Sequence, residues 1–480
     1  MFFFEPGIVA RNSSRLYDRQ MRNFIFHFLR ERPASPQGYR AILRIGLPLV
    51  AGMCSTTLME FTDRLFLSRY SVTAIAAALP AGTASMVLQF ALSGLCGYVS
   101  TLIAQYAGAG RPERISCALW QGIWLALAGA LVLAFSCLGA GALFSWMGHG
   151  PEVAAEEEAY FSILNLGGVF FLLNSTLGGF FIGLGTTRPV PLVNFAGALL
   201  NIPLNYALIF GWAFFPELGI RGAALATVAG WALSSLIFAV LILKSSHSRD
   251  ILGNWKPDRD MFARLLRFGA PSGVNLLVDI LAFTWFIMEL GKLGLAELAA
   301  SNIAVSINLL IFLPMMGLSS AVATLTGNAM GKGRAKDAFL VARNAMRLSL
   351  SYMLPVAACC VLFGDALMDV FRTAGDGTAY ADIRETGIVL LYYVAAYSLV
   401  DSCNIVYMGS LKGAGDTLAV LLILCFAAFF CLILPISLLK ALGLASLHSL
   451  WIVFTAYVMA LALAARWRFL RGKWQSIRMI

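Results

Sequence analysis

Five carboxylates stand inside or at the ends of long apolar stretches of this chain. Glu60 and Asp63 fall in LMEFTDRLF, spaced i, i+3, which puts both on one helical face. Asp279 falls in NLLVDILAF, four residues after Asn275. Asp401 falls in YSLVDSCNIV, with Tyr397 four residues before it and Asn404 three after, forming one polar stripe. Glu289 comes ten residues after Asp279, where the stretch should reach an interface. An ionisable group at the centre of a bilayer costs roughly 2.5–3.5 kcal/mol on insertion scales. Such an acid is retained where it binds a proton or cation, pairs with a base, or lines a watery path. The competing account for Asp279 and Asp401 is a buried hydrogen bond that holds helices together. For Asp63, near the outer end of its stretch, it is interfacial solvation. Asn194, Asn201 and Asn205 share another stretch, and Asn174 lies in the one before it. These asparagines suit helix–helix hydrogen bonding or the lining of a cavity.

The elements that must position these groups follow from composition. Of 480 residues 59% are hydrophobic and 12% charged, about half the charge of an average soluble domain. Twelve apolar stretches come near the ~20 residues that cross a bilayer as helix. They are 42–67, 80–105, 117–140, 160–182, 190–211, 221–244, 269–291, 300–325, 345–364, 387–410, 418–440 and 447–465. Backbone polar groups in lipid must be satisfied within the segment, so these read as helices, and the alternation of a membrane barrel is absent. The class expected is all-α and integral to the membrane. Residues 15–32 place Met21, Phe24, Ile25 and Phe28 on one face among arginines, as in a helix lying on an anionic surface; a disordered basic tail explains them equally. The nine cysteines show no CxxC spacing and read as packing residues. The four histidines are scattered and suggest no metal cluster. The EEE run at Glu156–Glu158 reads as a solvated loop face.

The net charge of +10 is distributed by side, which argues against nucleic acid. The N-terminus, the even-to-odd loops and the C-terminus hold 28 of the 35 Lys and Arg, and the other loops hold 7. This bias predicts cytoplasmic termini and an even number of spans; the location expected is the cell's inner (plasma) membrane.

The chain also repeats itself. At an offset of 223, Arg44, Gly46 and Pro48 fall on Arg267, Gly269 and Pro271, and Gly108, Gly110 and Arg111 fall on Gly331, Gly333 and Arg334. At 230, Gly183, Gly185 and Thr187 match Gly413, Gly415 and Thr417. The organisation expected is an N-terminal extension (1–41), a six-helix half (42–244), a linker (245–268), a second half (269–465) and a basic tail (466–480). Six spans per half give both halves one orientation, related by a pseudo-two-fold along the membrane normal, with a cavity where they meet. That architecture suits alternating access.

No GxxxxGK[ST] exists, so nucleotide hydrolysis is not the drive. No catalytic constellation or cofactor motif is present, and an enzyme is not expected. The chain resembles the multidrug and toxic compound extrusion (MATE) family over about residues 40–465. The likeness rests on FTDRLFLS, IAQYAGAGRPER, GLGTTRPVPLVN, LNIPLNYALIFG, FGAPSGVNLLVD and DSCNIVYMGSLKGAGDT. It implies an antiporter that exchanges H⁺ or Na⁺ for bulky cationic or aromatic organic compounds. It implies that Asp63 is the coupling carboxylate of the first half. It further implies that Asp279, Asp401 and Tyr397 form a cation-linked cluster in the second, with Na⁺ a candidate at the two acids. Glu60, Asn174, Asn194, Asn201, Asn205, Asn275 and Asn404 are then the expected cavity residues. Asn205 stands where the family has an acid, and Asp279 where it commonly has Glu. A monomer is expected. The rival reading is a flippase for lipid-linked oligosaccharides, which needs a basic cavity, whereas the deep charges in these stretches are acids.

Overall fold

The structure is a computed structural model, and it describes residues 38–212, 215–245, 251, 253–371 and 379–480. The surface helix expected over 15–32 lies outside the described residues. Among these residues there is no strand, and twelve helices are long and apolar enough to cross a membrane. They are α1 (Tyr39–Tyr70), α2 (Val72–Gly108), α3 (Pro112–Trp146), α4 (Pro151–Gly183), α5 (Pro189–Phe210) and α6 (Ile220–Leu243). The second set is α7 (Arg259–Gly291), α8 (Leu295–Gly331), α9 (Ala335–Leu362), α10 (Tyr380–Ala414), α11 (Thr417–Ala441) and α12 (Leu447–Leu470).

Most helices outrun the apolar stretches that announced them. α9 starts ten residues before 345, because its first turns are polar but helix-forming, AKDAFLVARN. The EEE run is a correction: it is helical, and Glu157 is fully buried, hydrogen-bonded to His149 Nδ1 at 2.8 Å. A solvated loop face describes neither fact.

The chain divides into two compact units. One holds Ile45–Ile280 and Met479–Ile480; the other holds Leu281–Arg478 and the segment ending at Arg44. In the first, small residues set the helix spacing. A Cβ on Gly273 of α7 would stand 2.3 Å from the Ala91 carbonyl oxygen of α2, so only glycine allows that approach. In the second, α10 is packed by α8, α9 and α12.

The repeat is written into local backbone. Gly110 and Gly333 both have φ +68°, the left-handed conformation that glycine adopts without penalty. After each, the next amide folds back on the helix just ended: Arg111 N to Tyr106 O at 3.1 Å, and Arg334 N to Ala329 O at 3.0 Å. All three correspondences fall at the offset of 223. The GLGTT and GAGDT turns do the same at 230, through Thr186 N to Phe181 O and Asp416 N to Leu411 O.

A buried acid and its neutral donors

In the first unit α5 and α6 meet at glycines. A Cβ on Gly197 would lie 2.9 Å from the Gly230 carbonyl oxygen. One turn along, this approach sets Asn201 against Thr227, whose Oγ1 accepts from Asn201 Nδ2 at 3.4 Å. α1 brings Asp63 to the same place. Thr227 Oγ1 lies 2.9 Å from Asp63 Oδ2, and Asn205 Nδ2 donates to Asp63 Oδ1. Asp63 is only 6% exposed, so interfacial solvation does not account for it. Asn201 also lies within hydrogen-bonding reach of this carboxylate, and buried Tyr160 of α4 is within its electrostatic range. The side-chain oxygens of Asn201 and Asn205 are buried with no hydrogen-bond partner. Unmet buried amide oxygens are costly. Both belong to residues whose amide nitrogens turn to this hydroxyl and carboxylate, so the acid sits in a polar node where a proton or a small hard cation has oxygen neighbours. Among the described residues no group of three or more His, Cys, Asp or Glu gathers as a metal site.

The other expected residues of this unit are spread out. Glu60 is exposed, one turn before Asp63. Asn194 lies against Gly52 of α1, well below Asp63, its Nδ2 3.1 Å from where a Cβ would stand. Asn174 is half-buried, with its oxygen unmet. Asn275 is buried while Asp279, one turn on, is exposed. Asp279 falls within this unit and Asp401 within the other. A polar network that the sequence did not announce joins α2, α3 and α4: Ser85 donates to Asn165 at 2.7 Å, which donates to Ser136 at 3.2 Å. Gln89, one turn after Ser85 on α2, donates to both Ser85 and Asn165 at 3.3 Å, so the i, i+4 pair Ser85 and Gln89 was the signal available in the sequence.

In the second unit Asp401 is 9% exposed and accepts from Asn404 Nδ2 at 3.0 Å. Tyr397 is buried one turn away, with its ring edge-on to Phe454 at 5.6 Å. Phe454 stacks on Phe286 of α7 at 4.5 Å. An acid beside an aromatic wall suits organic cations. Glu289 is no freely solvated interfacial acid: it is 5% exposed and bridges Lys292 and Lys440, each at 2.6 Å. The expectation that the deep charges are all acids needs correcting too. Arg347 of α9 is 6% exposed and lies about 18 Å from the start of its helix. Its position at the edge of the apolar stretch had placed it with the preceding loop.

A family model described as MatE matches residues 48–207 and again 271–438. The two matches begin 223 residues apart, which is the repeat. The chain belongs to that family, a family of multidrug transporters, and is a multi-pass membrane protein of the all-α class. Among solved structures it is similar to an outward-facing multidrug resistance MATE transporter of the MOP superfamily, with TM-score 0.83 and 21% identity over 93% of this chain and 98% of that one. It is similar to a MOP superfamily transporter from Pyrococcus furiosus, described as having a binding pocket of reverse polarity that suggests a different function; the TM-score is 0.82, with 21% identity and the same coverage. A MATE protein in complex with MaL6 matches at TM-score 0.81 and 22% identity over 93% and 98% of the two chains. These likenesses show the fold.

Proposed function

We propose that this transporter is an antiporter of the inner (plasma) membrane, with both termini in the cytoplasm, that admits H⁺ or Na⁺ in exchange for bulky cationic or aromatic compounds. One observation carries the reading: Asp63 is a buried carboxylate whose hydrogen-bond donors are neutral, on residues two of which keep unmet amide oxygens. A structural salt bridge would put a base in hydrogen-bond contact with it, whereas Arg64, the next residue, is within its electrostatic range only. A cation drives transport only if its affinity differs between the inward- and outward-open states. Asp63 takes groups from α1, α5 and α6, so any shift between these helices changes its donor set. The aromatic wall near Asp401 and the half-buried asparagines supply the organic compound with contacts. Purified protein in liposomes, given ethidium and an imposed pH or Na⁺ gradient, tests this. Gradient-dependent ethidium movement is expected; movement indifferent to both gradients removes the antiport.

A further inference from the structure

The basic groups of α9 have no role in that reading. Arg343, Asn344 and Arg347 share one face of the helix, with the two arginines one turn apart. Asn344 and Arg347 are buried, and Arg343 is half-buried. α9 has 28 residues, about 42 Å at 1.5 Å per residue, so both arginines fall within a hydrocarbon core of about 30 Å if the helix is centred on it. The level they occupy in the second unit is fixed by a neighbour. Met346 Sδ lies 3.6 Å from Cys403 Sγ of α10, and Cys403 is within electrostatic range of both Asp401 and Arg466 of α12. Two helices, α9 and α12, therefore bring guanidinium groups to the depth of Asp401 and Asn404. A guanidinium is an expensive group to hold in a membrane. Its planar fork of donors matches a carboxylate or phosphate in two parallel hydrogen bonds, which ammonium groups and amides do not provide. Two forks one turn apart on the same helix give such an anion two points of attachment.

We propose that Arg343 and Arg347 form an anion-accepting site in the second unit, so that the exported compound carries a carboxylate or phosphate besides its apolar or cationic part. This rests on the exporter reading and names the chemistry of its cargo. Asp401 and the aromatic wall then hold the remainder of the same molecule, and the acid and the arginines divide its charges between them.

The test uses the full chain in phosphatidylcholine nanodiscs and in liposomes, with carboxyfluorescein as the anionic probe and ethidium as the cationic one. Fluorescence polarisation should show carboxyfluorescein binding to the wild type. Arg347→Gln should weaken it at least tenfold, Arg347→Lys by less, and Arg343→Gln severalfold. If Arg347→Gln does not fold, Arg343→Gln carries the comparison. In liposomes the preference for carboxyfluorescein over ethidium should fall at least tenfold in the same variants. No carboxyfluorescein binding by the wild type, or equal binding by the glutamine variants, overturns the site even if ethidium is exported. Arginine-dependent binding with no gradient-driven movement of either dye leaves the site standing and removes the exporter reading. Dye binding abolished by phosphatidylglycerol nanodiscs would give the arginines to a lipid headgroup and overturn the cargo proposal.

Discussion

Thr227 Oγ1 lies 2.9 Å from Asp63 Oδ2 across 164 residues of sequence, joining α6 to α1 at a site with no positive charge in its hydrogen-bond set. The Thr227 hydroxyl also lies 3.1 Å from the Ala223 carbonyl oxygen and 3.4 Å from Asn201 Nδ2. One rotatable proton thus chooses between a backbone carbonyl and a carboxylate. On the antiport proposed above, that choice would change as Asp63 gains or loses a cation, and Thr227 would report the bound state.

Thr227→Val keeps the shape and removes that donor. Losing one hydrogen bond to a buried charged group costs about 1–3 kcal/mol. The expected outcome is a protein that melts a few degrees lower and needs a steeper gradient for the same ethidium flux. Wild-type gradient dependence in this variant would show that the hydroxyl takes no part in coupling.

The glycine approach that builds the site can be tested by overpacking. A Cβ on Gly197 would stand 2.3 Å from Ser234 Oγ and 2.9 Å from the Gly230 carbonyl oxygen. Gly197→Ala should cost about 1–3 kcal/mol and displace α5 from α6. Gly110→Ala meets open space and pays only for its left-handed backbone, about 1–2 kcal/mol. Both variants should melt lower, but only Gly197→Ala should lose flux beyond its loss of folded protein. Equal losses of specific activity would remove the link between this approach and the Asp63 site.

Much of this was legible beforehand, for physical reasons. Apolar length gave the twelve helices, because lipid leaves a chain no other way to satisfy its backbone. Glycine positions gave the repeat, because left-handed turns admit few other residues. Asp63 stood out as an acid in an apolar stretch, and Asn201 and Asn205 by their i, i+4 spacing. Thr227 did not: a threonine in ALATVAG is as ordinary as its neighbours, and only the approach of α5 to α6 gives it a partner. Arg347 was lost for the opposite reason. Polar residues at the start of a helix look like loop when apolarity is the only ruler. Glu157 was misread because three consecutive acids suggest a solvated run, whereas a helix turns one of the three inward.

Asp416 and Arg468 make the best-formed ion pair at the end of a span, with distances of 2.6 and 3.0 Å. Asp416 is buried in the GAGDT turn, and Arg468 comes from α12. Removing the arginine strands a buried carboxylate, so Arg468→Met should destabilise by about 3–5 kcal/mol. Arg468→Met with Asp416→Asn should recover a large part of this, since the stranded charge is gone. A double-mutant cycle in thermal melts reads the coupling, and additive losses would show that the pair does not act as one.

Acid should loosen the start of α7. Asp258 caps this helix, its Oδ1 accepting from the backbone amides of Asp260 at 3.0 Å and Met261 at 3.1 Å. The Met261 amide is the main cause that holds the Asp258 carboxyl below its usual range, opposed by partial burial and aided by Cys117 and Arg114. A carboxyl held below its unfolded value stabilises above that value, near pH 3.9, and the contribution fades as pH falls through the folded one. Hydrogen exchange at Asp260–Arg264 should therefore quicken on moving from about pH 5 toward pH 3, beyond the intrinsic pH effect. Asp258→Asn should flatten that response, and an unchanged response would assign it elsewhere.

The last prediction locates the coupling. Asp63, Asp279 and Asp401 are the three acids from which the exchange of a cation can be built, and their surroundings differ. Asp63 is buried among neutral donors; Asp279 is exposed; Asp401 is nearly buried, at the depth of Arg347. Asp63 accepts from Asn205 of α5 and lies against Thr227 of α6, so a shift between helices alters its donor set directly, whereas the Asn404 donor of Asp401 moves with it on α10. Asp63→Asn should thus leave folded protein in the membrane, measured by thermal melt and gel filtration, while reducing gradient-driven ethidium export at least a hundredfold. Asp401→Asn should weaken dye binding more than it alters the dependence of flux on the gradient. Asp279→Asn, at an exposed position of α7, should change flux severalfold at most. Gradient dependence that survives Asp63→Asn but vanishes in Asp279→Asn or Asp401→Asn would transfer coupling to the second set of acids, and the Asp63 cluster would then be a structural hydrogen-bonded node of the first unit.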